Sequence, residues 1–263
     1  MSDTYAIELK NLSKTYGGSN AVNQLDLNIR KGELFGFLGP NGAGKTTTIK
    51  MMTGLLEPST GSVKVNGIDI WEEPVEAKKK IAYLPDQPNL YPKLTGWEFL
   101  RFIGSVFKIP QNTFEKRAEE YLKLFGLYYR AGELIESYSH GMKQKIALCG
   151  ALIHNPEVLF LDEPTVGLDP KSARSLKSLL RKLCDRGTTV FISTHILEIA
   201  ERMCDRVGII RNGDVIALGT MEELRQGEGK EQASLEDIFL ELTGGEESRE
   251  LISLLDEEQE EVQ

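Results

Sequence analysis

The feature that most constrains this chain is Gly39-Pro40-Asn41-Gly42-Ala43-Gly44-Lys45-Thr46-Thr47. It lies between an apolar run, Leu34-Phe35-Gly36-Phe37-Leu38, and a stretch from Thr46 to Met52 that meets no breaker until Gly54. The fixed positions match GxxxxGK[ST]. Strand, glycine loop and helix is the order a phosphate-binding loop requires. The glycines let successive backbone N–H groups turn towards an anion, and the helix start adds its positive end. Lys45 supplies a mobile charge for the outer phosphates, and the Thr46 hydroxyl is placed to bind magnesium.

The rest of the first 225 residues is organised around that unit. Ile7 and Leu9, then Val22, Leu25, Leu27 and Ile29, alternate like paired strands, and residues 61–70 alternate again around an Asn66-Gly67 turn. From about 90 to 145 the character is helical and reads as a small inserted lobe. Thr95 and Glu98 form a capping-box pair ahead of Phe99, Phe102, Ile103, Val106 and Phe107, and a second helix is expected from Thr113 to Phe125. Helix and strand then alternate: helix Lys143–His154, strand Val158–Leu161, a helix opened by Asp169-Pro170 and ended by Gly187, strand Thr189–Ser193, and helix Ile196–Met203.

A second chemical feature follows from the strand Val158-Leu159-Phe160-Leu161, which ends in Asp162-Glu163. A buried strand exposes its next residues at its carboxyl edge, where the phosphate loop of such a sheet also lies. Asp162 can then hold magnesium through water, and Glu163 can polarise an attacking water. On its own an apolar run ending in Asp-Glu is an ordinary strand reaching solvent. Beside this loop it is a catalytic candidate.

With these elements and Ser139-His140-Gly141-Met142-Lys143-Gln144, the chain resembles the nucleotide-binding subunits of ATP-binding-cassette (ABC) transporters over about residues 5–225. The resemblance implies a P-loop NTPase of α/β class: a RecA-like mixed sheet with an antiparallel β subdomain and a small helical subdomain. It implies hydrolysis of ATP with Mg2+ as cofactor. The Ser139 segment looks like the family signature, which binds the γ-phosphate of ATP held by a second subunit, through Ser139, Gly141 and Met142. A helix start there is a favourable anion site, although Ser139 is also a plain helix cap. Gly167-Leu168-Asp169 resembles the loop that links the two sites across a head-to-tail dimer, with Asp169 doubling as a cap. His195 matches the family histidine that contacts the γ-phosphate, and Tyr16 the aromatic on which adenine stacks.

Two motifs depart from the family pattern. His140 stands for the first signature glycine, and Met142 for the terminal glutamine. At the magnesium-binding glutamine, counting from Tyr83-Leu84-Pro85 puts Asp86 in place, with Gln87 one residue later. A carboxylate is a harder magnesium ligand than an amide, so Asp86 is the expected one, and a one-residue bulge would present Gln87 instead. Within the family, residues 83–100 and the signature look like bacterial subunits serving separate membrane proteins, such as the Ecs-type and drug- or sodium-export systems.

Charge narrows the partners. Residues 226–263 hold 13 acidic and 2 basic residues, a net of −11, so the total of −9 leaves the first 225 residues at about +2. That body has no basic stripe for nucleic acid, and the acidic end reads as a solvated appendage with one amphipathic helix through Leu235, Ile238, Phe239 and Leu242 that docks on the body. The two expected units are therefore the cassette, 1–225, and this extension. Cys149, Cys184 and Cys204 stand far apart and read as free thiols. No apolar run approaches the roughly 18–20 residues needed to span a bilayer, and no secretory signal is visible. The resemblance implies a cytoplasmic protein at the inner face of the cell membrane, touching it only through an integral membrane permease. Its other partner is a second copy or a paralogous ATP-binding subunit. Export is the expected direction. Two rivals stay open: a non-transport ABC ATPase, and a regulatory module that holds ATP without hydrolysing it.

Overall fold

Alternation of apolar and polar residues makes two long strands, β1 (Tyr5–Tyr16) and β2 (Ser19–Arg30), pair antiparallel, with Leu9 opposite Leu27. The uninterrupted apolar run gives β3 (Leu34–Leu38), buried at every residue, and the phosphate loop leads from it into α1 (Lys45–Met52). Next come β4 (Thr60–Val65) and β5 (Ile68–Asp69), joined at Asn66-Gly67. Both turn residues have positive φ, 50° and 78°, the geometry of a tight type I′ hairpin. α2 (Pro74–Lys80) and β6 (Ile81–Leu84) follow.

The helical stretch contains α3 (Gly96–Val106), α4 (Gln111–Leu124) and α5 (His140–Leu152). Thr95 and Glu98 make the reciprocal capping box that starts α3. Of its expected apolar face, Phe99 is buried, while Phe102 and Val106 are exposed, because the buried side of α3 runs through Phe99, Leu100 and Gly104, the last of these against Phe114 of α4. β7 (Val158–Asp162), α6 (Pro170–Asp185), β8 (Thr189–Thr194) and α7 (Leu197–Met203) restore the alternation. The chain closes with β9 (Arg206–Arg211), β10 (Asp214–Gly219), α8 (Met221–Gly227) and α9 (Leu235–Leu242). The computed structural model describes residues 5–166, 168–227 and 233–243, so Gly167 and most of the acidic end lie outside the described residues.

Two sheets result. One is antiparallel, in the order β2-β1-β4-β5. The other has the order β10-β9-β3-β8-β7-β6, parallel throughout except for the antiparallel edge strand β10. Strands buried on both faces read as continuous apolar runs, and the pleat sorts their side chains. Phe35, Phe37, Phe160 and Phe191 point to one face, where they pack with Ile7, Leu9, Leu27 and Ile29 of the antiparallel sheet and with Ile49 and Met52 of α1. Leu34, Leu159, Leu161, Val190 and Ile192 point to the other face, against Leu148 of α5 and Leu176 and Leu180 of α6. Phe99, Leu100 of α3 and Phe114, Leu122 of α4 belong to that same contiguous cluster, joined to the sheet through α5. A third cluster sets Leu235 and Ile238 of α9 against Ala200 of α7, Leu38 of β3 and Ile209 of β9. No helix among the described residues is long and apolar enough to cross a membrane.

Candidate active site

The loop between β3 and α1 is shaped by three glycines. Gly44 precedes the helix with φ 112°, and a Cβ there would sit 2.5 Å from the Ala21 carbonyl oxygen. A Cβ on Gly39 would meet the Ile210 carbonyl at 2.4 Å, so the loop is pressed against β9 on that side. Gly42 needs glycine only for its φ of 81°. Lys45 is the first residue of α1, and its ammonium donates back to the carbonyls of Gly39 at 2.7 Å and Pro40 at 3.1 Å. Burial lowers its pKa, and the nearby Glu163 and Asp162 carboxylates oppose that shift. The side chain is thus a charged group held in a small, partly dry cleft.

Parallel pairing brings the carboxylates to it. β7 and β8 run in register so that Asp162 lies opposite Ser193. The Thr46 hydroxyl donates to Asp162 Oδ2 at 2.9 Å, and Ser193 donates to the other oxygen. Glu163 leaves the strand with φ 50°, uncommon for a non-glycine residue, and its N–H donates to the Ser193 carbonyl at 3.0 Å. That turn aims its carboxylate at His195: Nδ1 lies 2.9 Å from Oε1, and the His195 backbone N–H donates to Oε2 at 3.4 Å. Ser193 was not singled out by sequence reasoning. Its signal is the strand end Ile192-Ser193-Thr194, readable only once the register with Asp162 is known. Tyr83 on β6 stands near as well; burial, then Asp162 and Asp86, push its hydroxyl pKa far up.

These groups converge on a cleft of about 260 Å³ lined by Ala21, Asn41, Gly42, Ala43, Gly44, Lys45, Thr46 and Thr47 of the loop side, with Asp86, Asp162 and Glu163 opposite. Asp86 lines the cleft; Gln87 is exposed and does not. The molecule has larger grooves beside α6, but they hold neither the loop nor the carboxylates. Hydroxyl and carboxylate oxygens at Thr46, Asp162 and Asp86 are the hard donor set that suits magnesium.

Several candidate residues stand outside the cleft. Tyr16, at the end of β1, is 52% exposed, with the Lys14 ammonium 5.5 Å from its ring centre. His195 reaches the cleft through Glu163 alone. Ser139 caps α5, accepting from the Met142 N–H at 3.4 Å, with Ser139 and His140 exposed and Gly141 half-buried. Asp169 caps α6, accepting from the Ser172 N–H at 2.9 Å, and also takes a bond from Lys145 Nζ of α5 at 3.2 Å. The Ser172 bonds, then Lys145, hold its carboxyl well below the usual carboxylate range. The start of α6 is therefore tied to α5, and neither Ser139 nor Asp169 lines the cleft.

The arrangement can cradle an anion on backbone N–H groups, neutralise it with a lysine, and present a carboxylate to a water. Known proteins resemble the chain that carries it. A family profile described as "ABC transporter" matches residues 22–166. The linearmycin resistance ATP-binding protein LnrL of Bacillus subtilis (strain 168) is 43% identical over 218 residues, covering 83% of this chain and 70% of the relative. The solved structure titled "Structure of ATP binding subunit of ABC transporter" superposes with a TM-score of 0.87 at 35% identity, over 90% of this chain and 99% of that one. The dimeric structure of MJ0796, a bacterial ABC transporter cassette, aligns with a TM-score of 0.75 at 32% identity, over 82% and 98%.

Proposed function

Because this chain belongs to the ABC transporter family and is the ATP-hydrolysing subunit of such a transporter, we propose that turnover takes place in the cleft between the phosphate loop and Asp162-Glu163, with Glu163 as the general base. The observation that carries this reading is the meeting of Lys45, Thr46, Asp86, Asp162 and Glu163 around one small volume. In it, the backbone N–H groups of residues 39–47 hold the phosphates, and Lys45 turns from the Gly39 and Pro40 carbonyls to the outer ones. Thr46, Asp162 and Asp86 would hold magnesium, which when bound neutralises phosphate charge. Glu163 accepts a proton from the attacking water. His195 keeps the Glu163 carboxylate aimed and lies ready to contact the γ-phosphate. Adenine stacks on the exposed ring of Tyr16.

The same reading makes the active unit a head-to-tail dimer. Ser139, Gly141 and Met142 lie off the chain's own cleft, so they serve the phosphates of a second copy or a paralogous subunit, with Asp169 beside them. The MJ0796 cassette, a structural neighbour, is described as dimeric. The dimer drives a separate membrane permease from the cytoplasmic face, through the helical stretch, and touches the membrane only there. A drug-resistance relative favours export.

Glu163→Gln tests the core of this. Removing the base should lower phosphate release about 100-fold or more while ATP binding persists. The variant should also accumulate an ATP-dependent dimer on size exclusion. Turnover near that of the unaltered protein would refute the assignment.

A further inference from the structure

α6 is sharply divided. Leu176, Leu180 and Leu183 are buried, whereas Lys171, Arg174, Lys177, Lys182 and Arg186 lie along its outer side and just past its end. None of these five forms an ion pair among the described residues; Arg181 does, with Asp185 and Asp205. Two grooves flank the helix. One, of about 870 Å³, lies between α6 and α7 and has Arg174, Lys177 and Lys182 beside apolar Ile199 and Met203. The other, of about 560 Å³, lies between α6 and α4 and has Lys171, Arg174, Lys182 and Arg186 beside Tyr121 and Leu124. Arg174 and Lys182 line both. The acidic residues in these walls are few: Glu198, already paired with Arg202, and Glu120. Like charges three or four positions apart on a helix repel, so this face is stabilised by an anionic occupant.

The chain itself carries one of fitting charge and position. α9 packs on α7, the wall of the larger groove, and the described chain reaches Thr243 directly after α9. Gly244 and Gly245 come next. Residues 246–261 then contain eight acidic residues against Arg249, a net of −7, interleaved with Leu251, Ile252, Leu254 and Leu255. Sixteen residues reach at most roughly 50 Å when extended, about twice the ~24 Å length of α6. The mixture of carboxylates and aliphatic side chains matches grooves that are cationic along the rim and apolar in their walls.

We propose that the acidic segment 246–261 docks on the basic face of α6 of the same chain, across the two grooves. The attraction is a network of exposed ion pairs, each weak alone, so docking is steeply salt-dependent.

Amine acetylation of the full chain, read by mass spectrometry, tests it. Lys171, Lys177 and Lys182 should react several-fold more slowly than they do when Asp256, Glu257, Glu258, Glu260 and Glu261 are replaced by their amides. Lys64, exposed on β4, is the control and should react equally in both. Salt at ~0.5 M should erase the difference. The double variant Arg174→Glu, Arg186→Glu should release the three lysines as the amide variant does. Equal reactivity in all forms at low salt would overturn the proposal. Protection that disappears on dilution would overturn it in favour of a second copy's segment. Protection seen only with phosphatidylglycerol vesicles would overturn it in favour of a membrane surface.

Discussion

At the scale of single residues, Asp86 is where side-chain chemistry and position meet. It lines the cleft, and Gln87 is exposed and does not. Asp86→Ala should therefore raise the magnesium concentration needed for half-maximal ATPase activity several-fold, and Gln87→Ala should leave it unchanged. The reverse pattern would move the role to Gln87. Gly44 is the second such residue. Its φ of 112° and the Ala21 carbonyl, 2.5 Å from where a Cβ would sit, leave no room for alanine. Gly44→Ala should destabilise the fold by about 1–3 kcal/mol and sharply weaken nucleotide binding, read by denaturant unfolding and by titration with a fluorescent nucleotide. Unaltered binding would mean that the loop relaxes without cost.

At the scale of elements, the end of α5 is anchored by an imidazole. The His154 ring stacks on Phe107 with centres 3.8 Å apart, and Nε2 bonds the Ile81 carbonyl at 3.0 Å. Burial lowers its pKa below the ordinary value. As pH falls below ~6.5 the unfolded chain takes up this proton before the folded one, so stability is lost as the solution is acidified. The fall in melting temperature between about pH 7.5 and 5.5 should be smaller in His154→Phe, which keeps the stack without the titration. An identical fall in both proteins would assign the pH dependence to other groups. The caps act at this scale too: Thr95 with Glu98, Ser139 and Asp169 each set where a helix begins, and the last two thereby fix the signature segment and the start of α6.

At the scale of the whole molecule, three cores share the central sheet, and the strand carrying the phosphate loop touches all of them. Leu34 packs with the helices, Phe35 and Phe37 with the antiparallel sheet, and Leu38 with α7 and α9. α9 is therefore part of what holds the loop's strand from behind. Ile238, 1% exposed, is its anchor. Ile238→Ala should cost about 2 kcal/mol or more, seen as a lower denaturant midpoint. No change in midpoint would show that α9 opens independently of the rest.

The sequence by itself determined what depends on neighbours along the chain. Gly39 to Thr46 between an apolar run and a helix specifies its own turn, because the glycine dihedrals and the helix start are local. The continuous apolar runs of β3, β7 and β8, the Asn66-Gly67 turn and the Thr95–Glu98 box are legible for the same reason. The tertiary structure decided which of those pieces share a site. Thr46 and Asp162 are 116 residues apart along the chain and 2.9 Å apart in space, because strand order and register, not spacing, set that distance. Only the register could bring Ser193 to Asp162. Only the path after β6 could choose Asp86 over Gln87 for the cleft, and only the placement of α5 could leave Ser139 out of the chain's own cleft. Long-range pairing is fixed by burying both faces of a sheet at once, and no window of sequence contains that sum.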